Sequence, residues 1–64
     1  MPEVHVFLAA GRSDEQKKNL MSDITQAVVK NFEVPAEAVT VQLIEAPLTH
    51  KMKGGLTFLE RRKT

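Results

Sequence analysis

A proline at the second position offers the most distinctive chemistry in this sequence of 64 residues. A small second residue ordinarily permits removal of Met1, which leaves Pro2 as an N-terminal secondary amine. An unperturbed α-amino group titrates at roughly 7.7–8.0. Burial and neighbouring cations penalise its protonated form and lower that value. A neutral amine of this kind can act as a general base or attack a carbonyl. Arg12 is the second candidate. Its planar guanidinium can hold a carboxylate through two parallel N–H bonds. Other chemistries find no support. Cysteine is absent and the only histidines are His5 and His50, so no metal-ligand spacing exists. Gly54-Gly55 is too short to cradle a phosphate, and Ser13 and Ser22 have no assignable base. His5 reads as a structural or interface residue in mid-strand, and His50 is given no role.

The elements that must position these groups follow from pattern. Val4–Leu8 is β-branched and aromatic, with apolar residues in both alternating sets, as in a strand covered on both faces. Ser13 and Gln16 form a capping-box signature, and Asp14 and Glu15 suit the positive end of a helix. Leu20, Met21, Ile24, Ala27, Val28 and Phe32 then recur with helical spacing. The spacing predicts a helix from about Asp14 to about Phe32. Pro35 disfavours helix before it, and Pro35–Ala38 reads as a short turn with proline first. Val39–Glu45 alternates as a second strand and ends before Pro47. Strand, long helix and strand make a βαβ unit with parallel strands and a right-handed crossover. Gly54-Gly55 signals a small hairpin, and Leu56, Phe58 and Leu59 are expected to pack on a neighbour. The expected class is α/β (α+β), a single domain over 1–64.

Size then limits what one chain can do. Burying roughly 6,000 Å², over half of it apolar, contributes about 90 kcal/mol, whereas ordering the chain costs about 95 kcal/mol. One helix covers part of one sheet face, and the face carrying Phe7 or Ile44 has no partner within the chain. Without disulfides or metal, oligomerisation is the expected source of the missing core. Nine basic and eight acidic residues give net +1, which argues against a polyanion partner. The charge is uneven. Residues 51–64 carry Lys51, Lys53, Arg61, Arg62 and Lys63 against Glu60, a net of +4, which leaves −3 for the first fifty. No aromatic residue interleaves with these cations, so nucleic acid is not an expected partner. No apolar run is long enough to span a membrane, and the first residues lack a basic leader, so a cytoplasmic location is expected.

Pro2, the strand after it, Gly11-Arg12-Ser13-Asp14-Glu15-Gln16-Lys17, the second strand and Gly54-Gly55 together resemble short members of the 4-oxalocrotonate tautomerase family. The resemblance spans essentially the whole chain. It implies a tautomerase-like βαβ subunit with a C-terminal hairpin, assembled as a homohexamer, a trimer of dimers. It implies that Pro2 moves a proton between carbons of a small keto-enol acid without any cofactor. It implies that Arg12 binds the acid's carboxylate and steadies developing charge. Two positions depart from the family pattern. Thr40 stands where the family has a second arginine on the second strand. Lys51 stands at the aromatic wall after the hairpin's histidine. Thr40, Lys51 and Lys53 are thus candidate substrate-binding residues beside Arg12, with Lys51 or Lys53 supplying the missing cation. The family's type substrate, 2-hydroxymuconate, then gives way to a related unsaturated 2-oxo or 2-hydroxy acid. Two alternatives remain open at this level. One is hydration or dehalogenation of an unsaturated acid in the same site. The other is a non-catalytic chain, either a paralogous subunit of a hetero-oligomer or a small binding module that holds an anion with Lys51, Lys53, Arg61 and Arg62.

Overall fold

The computed structural model describes residues 1–62. Strand β1 (Glu3–Ala9) leads into helix α1 (Asp14–Phe32), a 3₁₀ turn (Ala36–Ala38) and strand β2 (Thr40–Ala46). A second 3₁₀ turn (Leu48–His50) precedes a hairpin, β3 (Met52–Lys53) and β4 (Leu56–Thr57), and a short helix α2 (Phe58–Arg62). β1 and β2 pair in parallel from Glu3↔Thr40 to Ala9↔Ala46. The ladder continues past both ends. Thr40 N donates to the Pro2 carbonyl at 3.0 Å, and Ala10 N donates to the Ala46 carbonyl at 2.9 Å.

Local chemistry sets the limits of α1. The Ser13 hydroxyl accepts from Gln16 N, and the Gln16 side chain accepts from Ser13 N, both at 3.1 Å. The helix ends where Glu33 turns left-handed (φ 56°), with its N–H bonded to the Val29 carbonyl. Pro35 precedes the 3₁₀ turn as its cap instead of forming its first residue.

Alternation along the strands decides which side chains meet the helix. Val4, Val6 and Leu8 of β1 and Val41 and Leu43 of β2 are half-buried on one face. The helix offers Met21, Ile24, Thr25, Val28 and Val29, all half-buried. Lys17 joins this side and ties α1 to β2, with its ammonium 3.0 Å from Glu45 and 3.4 Å from Asp14. Hydrogen bonding to Glu45 holds the Lys17 pKa above its ordinary value. The stripe is narrower than its sequence predicts. Leu20, Ala27 and Phe32 stay exposed, because two strands about 4.8 Å apart cannot cover the full apolar arc of a helix about 10 Å wide.

The opposite sheet face, with His5, Phe7 and Gln42, is covered by none of the described elements, and Phe7 is 71% exposed. Among the described residues no side chain is fully buried. The accessible surface of 5086 Å² exceeds the about 4,100 Å² expected for a folded monomer of this mass. The radius of gyration, 14.9 Å, compares with about 11 Å for a compact chain of this length. The shape is an elongated 44 × 22 × 14 Å body, and the sheet and helix do not close a core alone.

The hairpin turns at Gly54 (φ 63°) and Gly55 (φ 81°), the two positive φ angles that a type I′ turn requires. Thr57 then caps α2: Glu60 N donates to its hydroxyl at 3.1 Å, and Thr57 N donates to the Glu60 carboxylate at 2.8 Å. The signature Thr57-Phe58-Leu59-Glu60 starts this helix, which adds to the hairpin that Gly54-Gly55 predicts. Bonds from the Thr57 backbone and hydroxyl hold the Glu60 pKa below the usual carboxylate value. A lowered folded-state pKa means that this cap contributes fully above the unfolded value and is lost as pH falls through the folded one. Acidification through that lowered value should therefore loosen α2. An NMR titration should show the Thr57 amide and the Glu60 carboxyl shifting together, with a midpoint below the usual carboxylate value.

Candidate active site

Pro2 and Thr40 come together at one end of the sheet. Pro2 is half-buried and its carbonyl is fixed by Thr40 N, whereas Met1 is 97% exposed. With Met1 attached the Pro2 nitrogen is a tertiary amide and carries no basic lone pair.

Arg12 lies at the other end. Gly11 adopts φ 132°, a conformation that a side chain would strain, and there the chain leaves β1 and reverses into the Ser13 cap. Arg12 thus stands at the rim of a cleft of about 480 Å³ lined by Leu8, Ala9, Ala10, Gly11, Leu48 and Arg62. That volume is within the range of small-molecule sites. On its other side, Arg12 borders a shallower recess of about 260 Å³ with Leu8, Gln16, Lys17 and Leu20. Seven extended residues separate Pro2 from Arg12, a distance of more than about 20 Å. One chain does not bring its own amine and guanidinium together.

The hairpin lysines occupy different positions from Arg12. The Lys51 ammonium sits 5.5 Å from the centroid of the Phe58 ring, a cation–π contact, and its carbonyl accepts from Phe58 N at 2.8 Å. Lys53 contributes its backbone: its carbonyl accepts from Arg61 Nη2 at 2.7 Å and from Arg61 Nε at 3.1 Å. Neither lysine lines the Arg12 cleft. The cation that does is Arg62, noticed in the sequence only as part of a basic tail. Helix α2 carries it there, and the Thr57 cap was the available signal.

His5 bonds to Glu3 on the open sheet face, beside the Pro2 end, and His50 is exposed. Among the described residues no group of His, Cys, Asp and Glu is arranged to hold a metal ion. No helix among them is long and apolar enough to cross a membrane.

The geometry therefore presents Pro2, preceded by Met1, at one end of a parallel βαβ unit and an arginine cleft at the other. Comparison with known proteins finds the same plan. A family model described as tautomerase enzyme matches residues 2–61. A probable tautomerase of Bradyrhizobium diazoefficiens is 64% identical over 61 residues, covering 95% of this chain and 91% of the relative. A 2-hydroxymuconate tautomerase of Pseudomonas putida is 36% identical over 55 residues, 86% of this chain and 87% of that one. Among solved structures, TomN, a 4-oxalocrotonate tautomerase homologue in the tomaymycin biosynthetic pathway, superposes with a TM-score of 0.89 at 33% identity, over 98% of this chain and 97% of its own. A strand–helix–strand chain matched over nearly its full length in this way belongs to the tautomerase family, as an isomerase of the 4-oxalocrotonate tautomerase type.

Proposed function

We propose that the enzyme shifts a proton within a small unsaturated 2-hydroxy or 2-oxo acid. The Pro2 amine, freed by loss of Met1, serves as the base, and Arg12 of another copy of the chain holds the acid's carboxylate. The observation that carries this reading is the separation of Pro2 and Arg12 along β1, more than about 20 Å in one chain. A working site then needs two copies. Antiparallel juxtaposition of two sheets around a twofold axis would bring the Pro2 end of one against the Arg12 end of the other. The exposed face around Phe7 and the absence of any fully buried side chain among the described residues support such assembly, and a hexamer built as a trimer of dimers is our reading of it.

The chemistry balances without a cofactor. The neutral Pro2 nitrogen takes the enol hydroxyl proton. The O–H electrons form the new C=O bond and the double bond shifts along the chain. The carbon at the far end of the π system then takes a proton back from the pyrrolidinium. Negative charge that builds on the oxygen and carboxylate is met by guanidinium, whose fixed donors act more strongly in a site shielded from water. Surrounding cations also favour the neutral amine that the first step needs.

Product identity provides the test. Enzyme shown by intact mass to lack Met1 should convert an enol acid such as phenylenolpyruvate into its keto isomer, with no change in mass. A product heavier by water, or one that has lost halide from a halogenated acid, would assign the site to hydration or dehalogenation instead.

A further inference from the structure

Arg12 owes its place to the backbone on either side of it, and that backbone is anchored at two successive residues of β2. On the strand side, Ala10 N donates to the Ala46 carbonyl at 2.9 Å. On the helix side, the Lys17 ammonium reaches the Glu45 carboxylate at 3.0 Å. The first turn of α1 carries this second anchor back towards Arg12. Lys17 N donates to the Ser13 carbonyl at 3.0 Å, and the Ser13–Gln16 capping box closes the same turn. Between the anchors, Gly11 at φ 132° is the backbone position with the most freedom to rotate.

Little else ties this turn to the sheet. From Gly11 to Leu20 every residue is exposed except Lys17, and the half-buried apolar residues of α1 begin only at Met21. Lys17 stands between two shallow recesses. It shares one of about 260 Å³ with Arg12 and Leu8, and one of about 360 Å³ with Met21, Leu43 and Glu45. Loose packing of this kind does not fix the distance from the turn to β2, whereas an ion pair to a strand residue does. Hydrogen bonding to Glu45 raises the Lys17 pKa, so the ammonium stays charged well past neutral pH. Asp14, 3.4 Å away and fully exposed, adds a weaker contact within the turn.

We propose that Lys17 is a positioning residue: its pair with Glu45 fixes the first turn of α1 against the end of β2 and thereby sets Arg12 where the substrate's carboxylate binds. This rests on the reading of Arg12 as a carboxylate holder, though not on Pro2 as the base. Lys17 acts through Arg12, so its effect is confined to what Arg12 recognises. A guanidinium that meets a carboxylate through two parallel bonds tolerates little displacement. A shift of about 1 Å can cost up to about 100-fold. A role in stability alone would weaken every ligand alike.

Cinnamate and its methyl ester make the test. They differ in the carboxylate alone, and neither carries an enol proton to move. Dissociation constants are to be measured by calorimetry on the assembled wild type, Arg12→Gln, Lys17→Met, Glu45→Gln, Lys17→Arg and the Lys17→Met/Arg12→Gln double variant. Arg12→Gln should weaken cinnamate by about 10- to 100-fold and leave the ester unchanged. Lys17→Met and Glu45→Gln break the same pair from its two ends, and each should weaken cinnamate by about tenfold, again without effect on the ester. Lys17→Arg should recover most of the wild-type affinity. In the double variant Lys17→Met should add nothing to Arg12→Gln, because its effect passes through that residue. Unchanged cinnamate binding in Lys17→Met, equal weakening of acid and ester, an additive double variant, or loss of assembly in both single-pair variants would overturn Lys17 as a positioning residue and leave Arg12 as the carboxylate holder. Unchanged cinnamate binding in Arg12→Gln would overturn the reading of Arg12, and the role of Lys17 with it.

Discussion

Pro2→Ala should lower kcat/KM for enol-acid isomerisation by about 10²-fold, and protein that retains Met1 should fall further, to about 10³–10⁴-fold below wild type. The two deficits differ because the two changes remove different things. Alanine at the same place, after loss of Met1, still ends in an amine. That amine is primary, more strongly hydrated and free to rotate, where the pyrrolidine nitrogen is held by its ring; the Thr40 bond to the residue 2 carbonyl is common to both. A retained methionine leaves the ring in place and converts its nitrogen into an amide, so no base remains. Steady-state rates on preparations sorted by intact mass give both values. Equal activity with and without Met1 would remove the amine from the mechanism, since an amide nitrogen cannot accept the proton.

The second large effect concerns assembly. Phe7→Asp should abolish oligomer formation and, with it, cooperative folding. Phe7 stands on the sheet face that α1 does not cover and is 71% exposed in the single chain. A neighbouring copy that covers this face would bury the new carboxylate without a partner, at a cost of several kcal/mol per subunit. The chain has no reserve against that cost, because none of its described side chains is fully buried. Sedimentation should give a single-chain mass, and circular dichroism should show a broad, non-cooperative loss of helix on heating. A stable, folded monomer of the variant would contradict the burial argument and the composite site together.

Much of the fold is legible in the sequence because its signals are local. Ser13 and Gln16 announce the start of α1, and Pro35 forbids its continuation, so the helix is found at Asp14–Phe32 as its pattern predicts. Gly54-Gly55 predicts a hairpin because few residue pairs accept two positive φ angles in succession. The parallel pairing follows from topology, since two strands joined by a long helix have little alternative. What was not legible depends on distance across the fold. The helix stripe includes Leu20 and Phe32 by periodicity, but how much of it is covered depends on the width of a two-stranded sheet. The site shows the same limit. Pro2 and Arg12 are conspicuous by type and spacing. That Lys51 would be drawn onto Phe58, and that Arg62 would reach the Arg12 cleft, depends on helix α2 folding back over the second 3₁₀ turn. A charge count of the tail registers the cations and does not say which one arrives.

Subunit complementation tests most directly whether amine and guanidinium come from different chains. Pro2→Ala and Arg12→Gln proteins, each nearly inactive alone, are unfolded together in equal amounts and refolded. If every site takes its proline from one chain and its arginine from another, random mixing gives about a quarter of the sites both native groups, and activity should return to about a quarter of wild type. A mixture no more active than the average of the two separate variants would place both groups on one chain and contradict the composite site.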